Sequence, residues 1–252
     1  MSAPPMYLSR ARLRRDVPAA ALRAVLAPEG AAERAATTHR LVWTLFADSP
    51  ERERDFLWRE AEPGSFYCLS SRPPVDRHGL FDVDPPKAFA PALSAGDRLG
   101  FALRVNATVA RGGRPRTDGQ SGVRGKPCDI VMDALCRAPE LSRPEARQRL
   151  LVPVAHDWLA RQGSKHGFCL PPLPQPHTVE DSDDVDDGPF RVTGYRVLAI
   201  DRGRKARPLR AGVLDLEGVL EVSDPARFVE AVRHGFGRAK AFGCGLMLIR
   251  RV

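Results

Sequence analysis

The sequence predicts an α+β protein of two tandem βαββαβ units, residues 1–94 and 95–252, with a cleft between them. Three observations predict it. Apolar and polar residues alternate with period two over residues 6–15, 96–107, 191–201 and 211–222, as in half-buried strands. Helical spacing appears between them at 31–46, 144–162 and 224–234. Read in order, strand, helix, strand, strand, irregular segment, strand is followed by strand, helix, strand, strand, helix, strand. The second copy is the clearer one.

The elements follow in chain order. Residues 1–5 read as a short extension. In 6–15, Tyr7, Ser9, Ala11 and Leu13 share one side and Leu8, Arg10, Arg12 and Arg14 the other, which predicts a strand with an arginine-rich face. Pro18 opens a helical run to Leu26, which Pro28 and Gly30 end. The helix over 31–46 has Leu41, Val42, Trp43, Leu45 and Phe46 as apolar residues, with His39 at the edge of that face. Residues 55–60 and 65–70 read as strands around Pro63-Gly64. Residues 80–89 are extended but broken by proline, which suits an edge strand.

In the second unit Leu99, Phe101, Leu103 and Val105 alternate strongly, and Arg104 lies on their opposite face. Residues 111–126 (RGGRPRTDGQSGVRGK) read as a basic loop, either ordering on RNA or simply solvated. A short helix is expected at 129–136, and a longer one at 144–162 with Gly163 as its end. His156 on the longer helix reads as packed or exposed. After a short strand at 167–170 come a proline-rich connection and an acidic run at 180–187, a surface loop of the wrong sign for RNA. The strands at 191–201 and 211–222 are joined by a connection holding Arg202, Arg204, Lys205, Arg207 and Arg210. A hairpin tipped with cations suits a nucleic-acid groove, though a solvated tip has the same composition.

Residues 235–245 (GFGRAKAFGCG) place four glycines, Arg238 and Lys240 between a helix and a strand. Asp224 caps that helix and Pro225 takes its first position, with Phe228, Val229 and Val232 on one face. Glycines permit positive φ, and successive N–H groups in such a turn can form an anion-binding concavity. A phosphate-binding loop and a mobile turn both remain open on spacing alone.

Composition narrows the class. Of 39 cationic side chains five are lysines and the rest arginines, the net charge is +8, and the pI is about 9.7. Arginine pairs bidentately with phosphate and stacks on bases, so an acidic partner is favoured, nucleic acid first. The five cysteines are odd in number and form no C-x-x-C pair, which fits a reducing cytoplasm and indicates neither a disulfide framework nor a zinc knuckle. The six histidines are scattered, so no metal or cofactor is expected. No run of about 18 apolar residues occurs, and no secretory leader or membrane partner is expected.

Several segments, taken in order, resemble one family. They are Met6-Tyr7-Leu8-Ser9; His39 with Trp43, Leu45 and Phe46; Arg54-Asp55-Phe56-Leu57; FALRVN from Phe101; Gly125-Lys126 with DIVMDAL from Asp129; Phe190 to Gly194; LEGVL from Leu216; and above all Gly235 to Leu246. This set resembles the CasE-type CRISPR RNA-processing endoribonucleases of type I-E systems, in the RAMP superfamily, and spans nearly the whole chain. The resemblance implies tandem ferredoxin-like domains and metal-independent cleavage of CRISPR repeat RNA at the 3′ base of a stem-loop. The 2′-hydroxyl attacks the adjacent phosphate and leaves 2′,3′-cyclic phosphate and 5′-hydroxyl ends. It also implies retention of the product within the type I-E surveillance complex, whose other protein subunits would be partners. His39 matches the family's catalytic histidine, and the glycine loop matches the superfamily's C-terminal signature. Some members carry a tyrosine three residues before the histidine; here that position is Ala36, which leaves a second proton-transfer group unassigned, with Tyr7 a weak candidate.

The chemistry also stands without the family. RNA carries its own nucleophile, so an enzyme needs only to align it, move two protons and stabilise a charged phosphorane. A histidine can move a proton near neutral pH. The residues expected to contact RNA are Arg40, Arg104, Lys126, Arg202, Arg204, Lys205, Arg207, Gly237, Arg238, Lys240, Gly243 and Gly245. The competing reading is a non-catalytic RNA-binding subunit of a ribonucleoprotein complex, in which His39 only packs at a helix edge.

Overall fold

The computed structural model describes residues 5–14, 31–49, 53–112, 125–138, 142–174, 188–200 and 209–252 of the chain. The helical run expected at 18–26, the acidic run at 180–187 and most of the cationic connection after residue 200 lie outside them.

The first half contains β1 (Tyr7–Leu13), α1 (Ala31–Trp43), β2 (Phe56–Glu62), β3 (Ser65–Ser70), β4 (Phe81–Val83) and β5 (Lys87–Ala88). These strands form one antiparallel sheet in the order β2-β3-β1-β4, with β5 also on β1. Register and alternation sort its faces. Ser9 and Ala11 lie opposite Cys68 and Phe66 and are buried, while Leu8 and Arg10 lie opposite Leu69 and Tyr67 on the other face. Helix α1 covers the first face. Leu41, Val42, Leu45 and Phe46 pack with Phe56, Trp58 and Phe66, and the rings of Phe46 and Phe56 stack at 4.1 Å. The helix gives way after Trp43 to a turn in which the Phe46 N–H bonds the Trp43 carbonyl at 2.9 Å.

The second half runs β6 (Arg98–Val105), β7 (Thr108–Arg111), β8 (Lys126–Asp129), α2 (Ile130–Cys136), α3 (Arg143–His166), β9 (Phe168–Cys169), β10 (Phe190–Ile200), β11 (Leu209–Val222), α4 (Pro225–His234) and β12 (Met247–Arg251). Its sheet has the order β10-β11-β6-β12, with β9 on β11. In both sheets the first strand sits between the third and the fourth, which makes them tandem ferredoxin-like folds. Leu99, Phe101, Leu103 and Val105 are all buried beneath α3 and α4, together with Trp158, Leu159, Phe228 and Val232. Leu57 and Leu69, from the uncovered face of the first sheet, join this second core. The two halves therefore meet through apolar surface. No helix among the described residues is long and apolar enough to cross a membrane.

Two expectations need correction. The basic loop does not begin at residue 111 and run to 126. Its ends are zipped, with Arg111 opposite Lys126 and Thr108 opposite Asp129 in the β7–β8 ribbon, and only 113–124 lies outside the described residues. Helix α3 does not stop at Gly163 but continues to His166 and ends at Gly167, whose φ of 75° is left-handed. Gly163 is a close-approach glycine, because a Cβ there would run into the backbone carbonyl of Phe168.

That reverses the usual effect of a helix-interior glycine. Gly163→Ala in an open helix would stabilise by about 1 kcal/mol. Here it is expected to destabilise by roughly 1–3 kcal/mol through the clash. Denaturant unfolding checks this; a stabilised variant would contradict the packing described.

Candidate active site

His39 lies in the penultimate turn of α1, where the helix meets the loop between α4 and β12. Its ring sits 5.8 Å from that of Trp43 and 5.8 Å from that of Phe242, which belongs to a short 3₁₀ turn at Lys240–Phe242. Both the helix from the first half and the loop from the second are needed to make this corner.

The glycine loop is a folded wall. Positive φ occurs at Gly235, Gly237, Gly243 and Gly245, and also at Ala239 (54°), the one non-glycine with positive φ among the described residues. A left-handed alanine carries strain of about 1–2 kcal/mol, and it stands directly before Lys240. The loop's backbone is knitted inward. The N–H groups of Arg238 and Gly245 bond the carbonyls of Asn106 and Arg104 at 3.1 and 2.7 Å, and that of Phe236 bonds Gly245 at 2.9 Å. The Asn106 amide, buried, anchors to the Gly212 carbonyl at 2.7 Å. From the first sheet, the Trp58 indole N–H donates to the Ala241 carbonyl at 3.2 Å. A Cβ at Gly237 would meet Val105 at 2.6 Å, and one at Gly243 would meet Trp58 at 3.0 Å. Gly243 and Gly245 are buried. Several of the loop's N–H groups are thus spent on the protein, and Gly237, Gly243 and Gly245 allow close packing.

Cations gather at the corner. Arg54 and Arg40 both act on His39 by charge, and Arg54 also acts on Lys240. Arg54 and Lys240 line one cleft of about 330 Å³ with Asp55, Glu230, Arg233 and His234. Lys240 Nζ spends a donor on the His234 carbonyl at 2.7 Å. Burial, then Arg54 and Arg40, pull the His39 pKa below its ordinary 6.5; the Ala241 backbone opposes them without offsetting them. The imidazole is thus held neutral at pH 7. Its Nδ1 is buried with no partner in hydrogen-bonding geometry. Ala36, one turn earlier, has no titratable group to help.

The other expected contacts are distributed unevenly. Arg40 and Arg238 are exposed beside this corner, and Arg40 reaches Thr37 Oγ1 at 3.3 Å. Lys126 is exposed on the separate β7–β8 ribbon. Arg104 is half-buried and paired within the protein. Its guanidinium bonds Asp215 at 2.7 and 3.4 Å and the Glu60 carbonyl at 3.2 Å, tying the two sheets together. Arg202, Arg204, Lys205 and Arg207 lie outside the described residues. His156 packs as expected, with its Nε2 at 2.9 Å from the Pro171 carbonyl. Sequence reasoning missed Arg54 and Phe242 as members of the site. The ordered match of Arg54-Asp55-Phe56-Leu57 was the one signal pointing to Arg54.

Removing the Arg54 charge should relieve the imidazolium. In Arg54→Gln the His39 midpoint, followed by NMR titration, is expected to rise toward 6.5. An unmoved midpoint would contradict the placement. The sign also bears on stability: the unfolded chain binds this proton more tightly, so His39 costs stability as pH falls through 6.5 toward its lower folded value.

The family model for CRISPR associated proteins matches residues 6–251. The Escherichia coli (strain K12) "CRISPR system Cascade subunit CasE" is 25% identical over 214 residues, which is 83% of this chain and 88% of that protein. The Thermus thermophilus "CRISPR-associated endoribonuclease Cse3" is 29% identical over 177 residues, 68% of this chain and 64% of that protein. A solved structure of Thermus thermophilus Cse3 bound to an RNA representing a pre-cleavage complex aligns with TM-score 0.60 at 25% identity, covering 98% of this chain and 99% of that one. The chain belongs to the CRISPR-associated protein family, as a member of its CasE type.

Proposed function

We propose that this protein is a metal-independent endoribonuclease that cuts CRISPR repeat RNA at the 3′ base of its stem-loop. The observation that carries this reading is His39, held neutral between Trp43 and Phe242, with Arg54 and Lys240 at the same corner. The named relatives, an endoribonuclease and a Cascade subunit, support the substrate class. In the step proposed, His39 takes the proton of the RNA 2′-hydroxyl. The O2′–P bond forms, the P–O5′ bond breaks, and the leaving 5′-oxygen takes a proton from water. The products are a 2′,3′-cyclic phosphate and a 5′-hydroxyl. A base must be unprotonated to act, and burial with two neighbouring arginines keeps His39 so at neutral pH. Arg54 and Lys240 neutralise the charge that develops on the phosphorane oxygens. After cleavage the protein keeps its product and serves as a subunit of the type I-E surveillance complex in the cytoplasm.

The test is single-turnover cleavage of the repeat stem-loop in EDTA. Wild type should cut, a 2′-deoxy sugar at the cut site should block cutting, and His39→Ala should be slower by about 10²–10⁴-fold with RNA affinity largely kept. Tight binding without cutting by wild type would point instead to a non-catalytic RNA-binding subunit.

A further inference from the structure

Around Asp215, on β11, three arginines converge from both sheets. Arg104 on β6 takes the short bonds, with Nε at 2.7 Å from Oδ1 and Nη2 at 3.4 Å from Oδ2. Arg196 on β10 approaches at 3.5 Å and Arg59 on β2 at 3.9 Å, distances that leave their charges poorly matched. Arg59 is 9% exposed, and its Nη1 is buried with no partner at all. Burial and the charges of Arg104 and Arg196 hold the Arg59 pKa below the usual arginine range, although Asp215 and Glu217 oppose them. Glu217 does not fill the gap, since Arg191 pairs with it at 2.8 Å. A buried guanidinium with an idle donor is costly unless something satisfies it. Asp215 is thus shared among three arginines, and the pairing is short only for Arg104.

We infer that Arg59 and Arg196 form a subsite for one backbone phosphate of single-stranded RNA next to the cleavage point. This rests on the endoribonuclease reading and extends it. A phosphodiester presents two oxygens to guanidinium forks, which a single phosphate placed between Arg59 and Arg196 would satisfy. Arg104 holds Asp215 in place. The groove beside it, about 370 Å³, is lined by Arg104, Arg196, Thr38 and Phe242, and also by the carboxylates of Glu60 and Glu62. Thr38 precedes His39, and the Phe242 ring touches the His39 ring, so a strand leaving the corner enters this groove directly. Its size suits a nucleotide. Phe242 offers a ring for base stacking beside the phosphate, the pairing by which single strands are held.

The experiment measures affinity for two uncleavable 2′-deoxy repeat RNAs, a bare stem-loop and one with unpaired nucleotides on both sides, across a salt series. Proteins are wild type, Arg196→Gln and Arg59→Gln. Arg196 is half-exposed, which protects that variant against a folding defect. Both variants should lose about tenfold on the flanked RNA and flatten its salt slope by about 0.7, while binding the bare stem-loop as wild type does. Equal losses on both RNAs, or none, would overturn the subsite. Wild type that binds the flanked RNA no tighter than the bare stem would do the same. Wild type that binds neither RNA would overturn the endoribonuclease reading itself.

Discussion

The site depends on one backbone docking. The loop from Gly235 to Gly245 is pinned to the end of β6, where Asn106 and Arg104 offer carbonyls to Arg238 and Gly245. Gly237 and Gly245 can lie that close and turn that way because they carry no Cβ. Everything functional hangs from it. The docking fixes Ala241 where Trp58 can reach it, Phe242 where it faces His39, and Lys240 where it shares a cleft with Arg54. A mobile glycine loop would supply none of this, because orientation is what a catalyst for self-cleaving chemistry must provide.

Around that docking the protein gathers more positive charge than it neutralises. Arg54, Arg40 and Lys240 surround a neutral His39, and Arg59 and Arg196 crowd an Asp215 already taken by Arg104. Farther from the junction several arginines are paired with carboxylates. Arg72 bonds Asp55 and Asp48 at 2.8 and 3.1 Å, Arg111 and Arg137 share Asp133, and Arg12 has Asp84. A concentration of cations at the junction suits a polyanionic ligand.

Much of the fold was legible in local pattern. Alternation placed β1, β6, β10 and β11, and Asp224 with Pro225 announced α4, because these depend on neighbours in the chain. Gly163 was misread because its reason, the carbonyl of Phe168, acts across a turn rather than along the helix. The zipped ends of 111–126 were hidden by a composition that reads as loop. At the site, His39 and Lys240 were visible as residue types in suggestive places. Arg104 was visible too, yet its partner Asp215 is over a hundred positions away in sequence and turns it from surface cation to clamp. Arg54, the Trp58–Ala241 bond and the idle donor of Arg59 have no local signature, since each exists only where the two sheets meet.

The claim that the docked loop positions the catalytic corner is tested most directly by Trp58→Phe, which removes one N–H and keeps a large ring in the core. The measurement is the single-turnover cleavage rate at saturating repeat RNA. The expected rate is lower by about five- to tenfold, the worth of one hydrogen bond lost from the positioned state, with RNA affinity unchanged. A variant that folds, binds RNA and cuts at the full rate would contradict it.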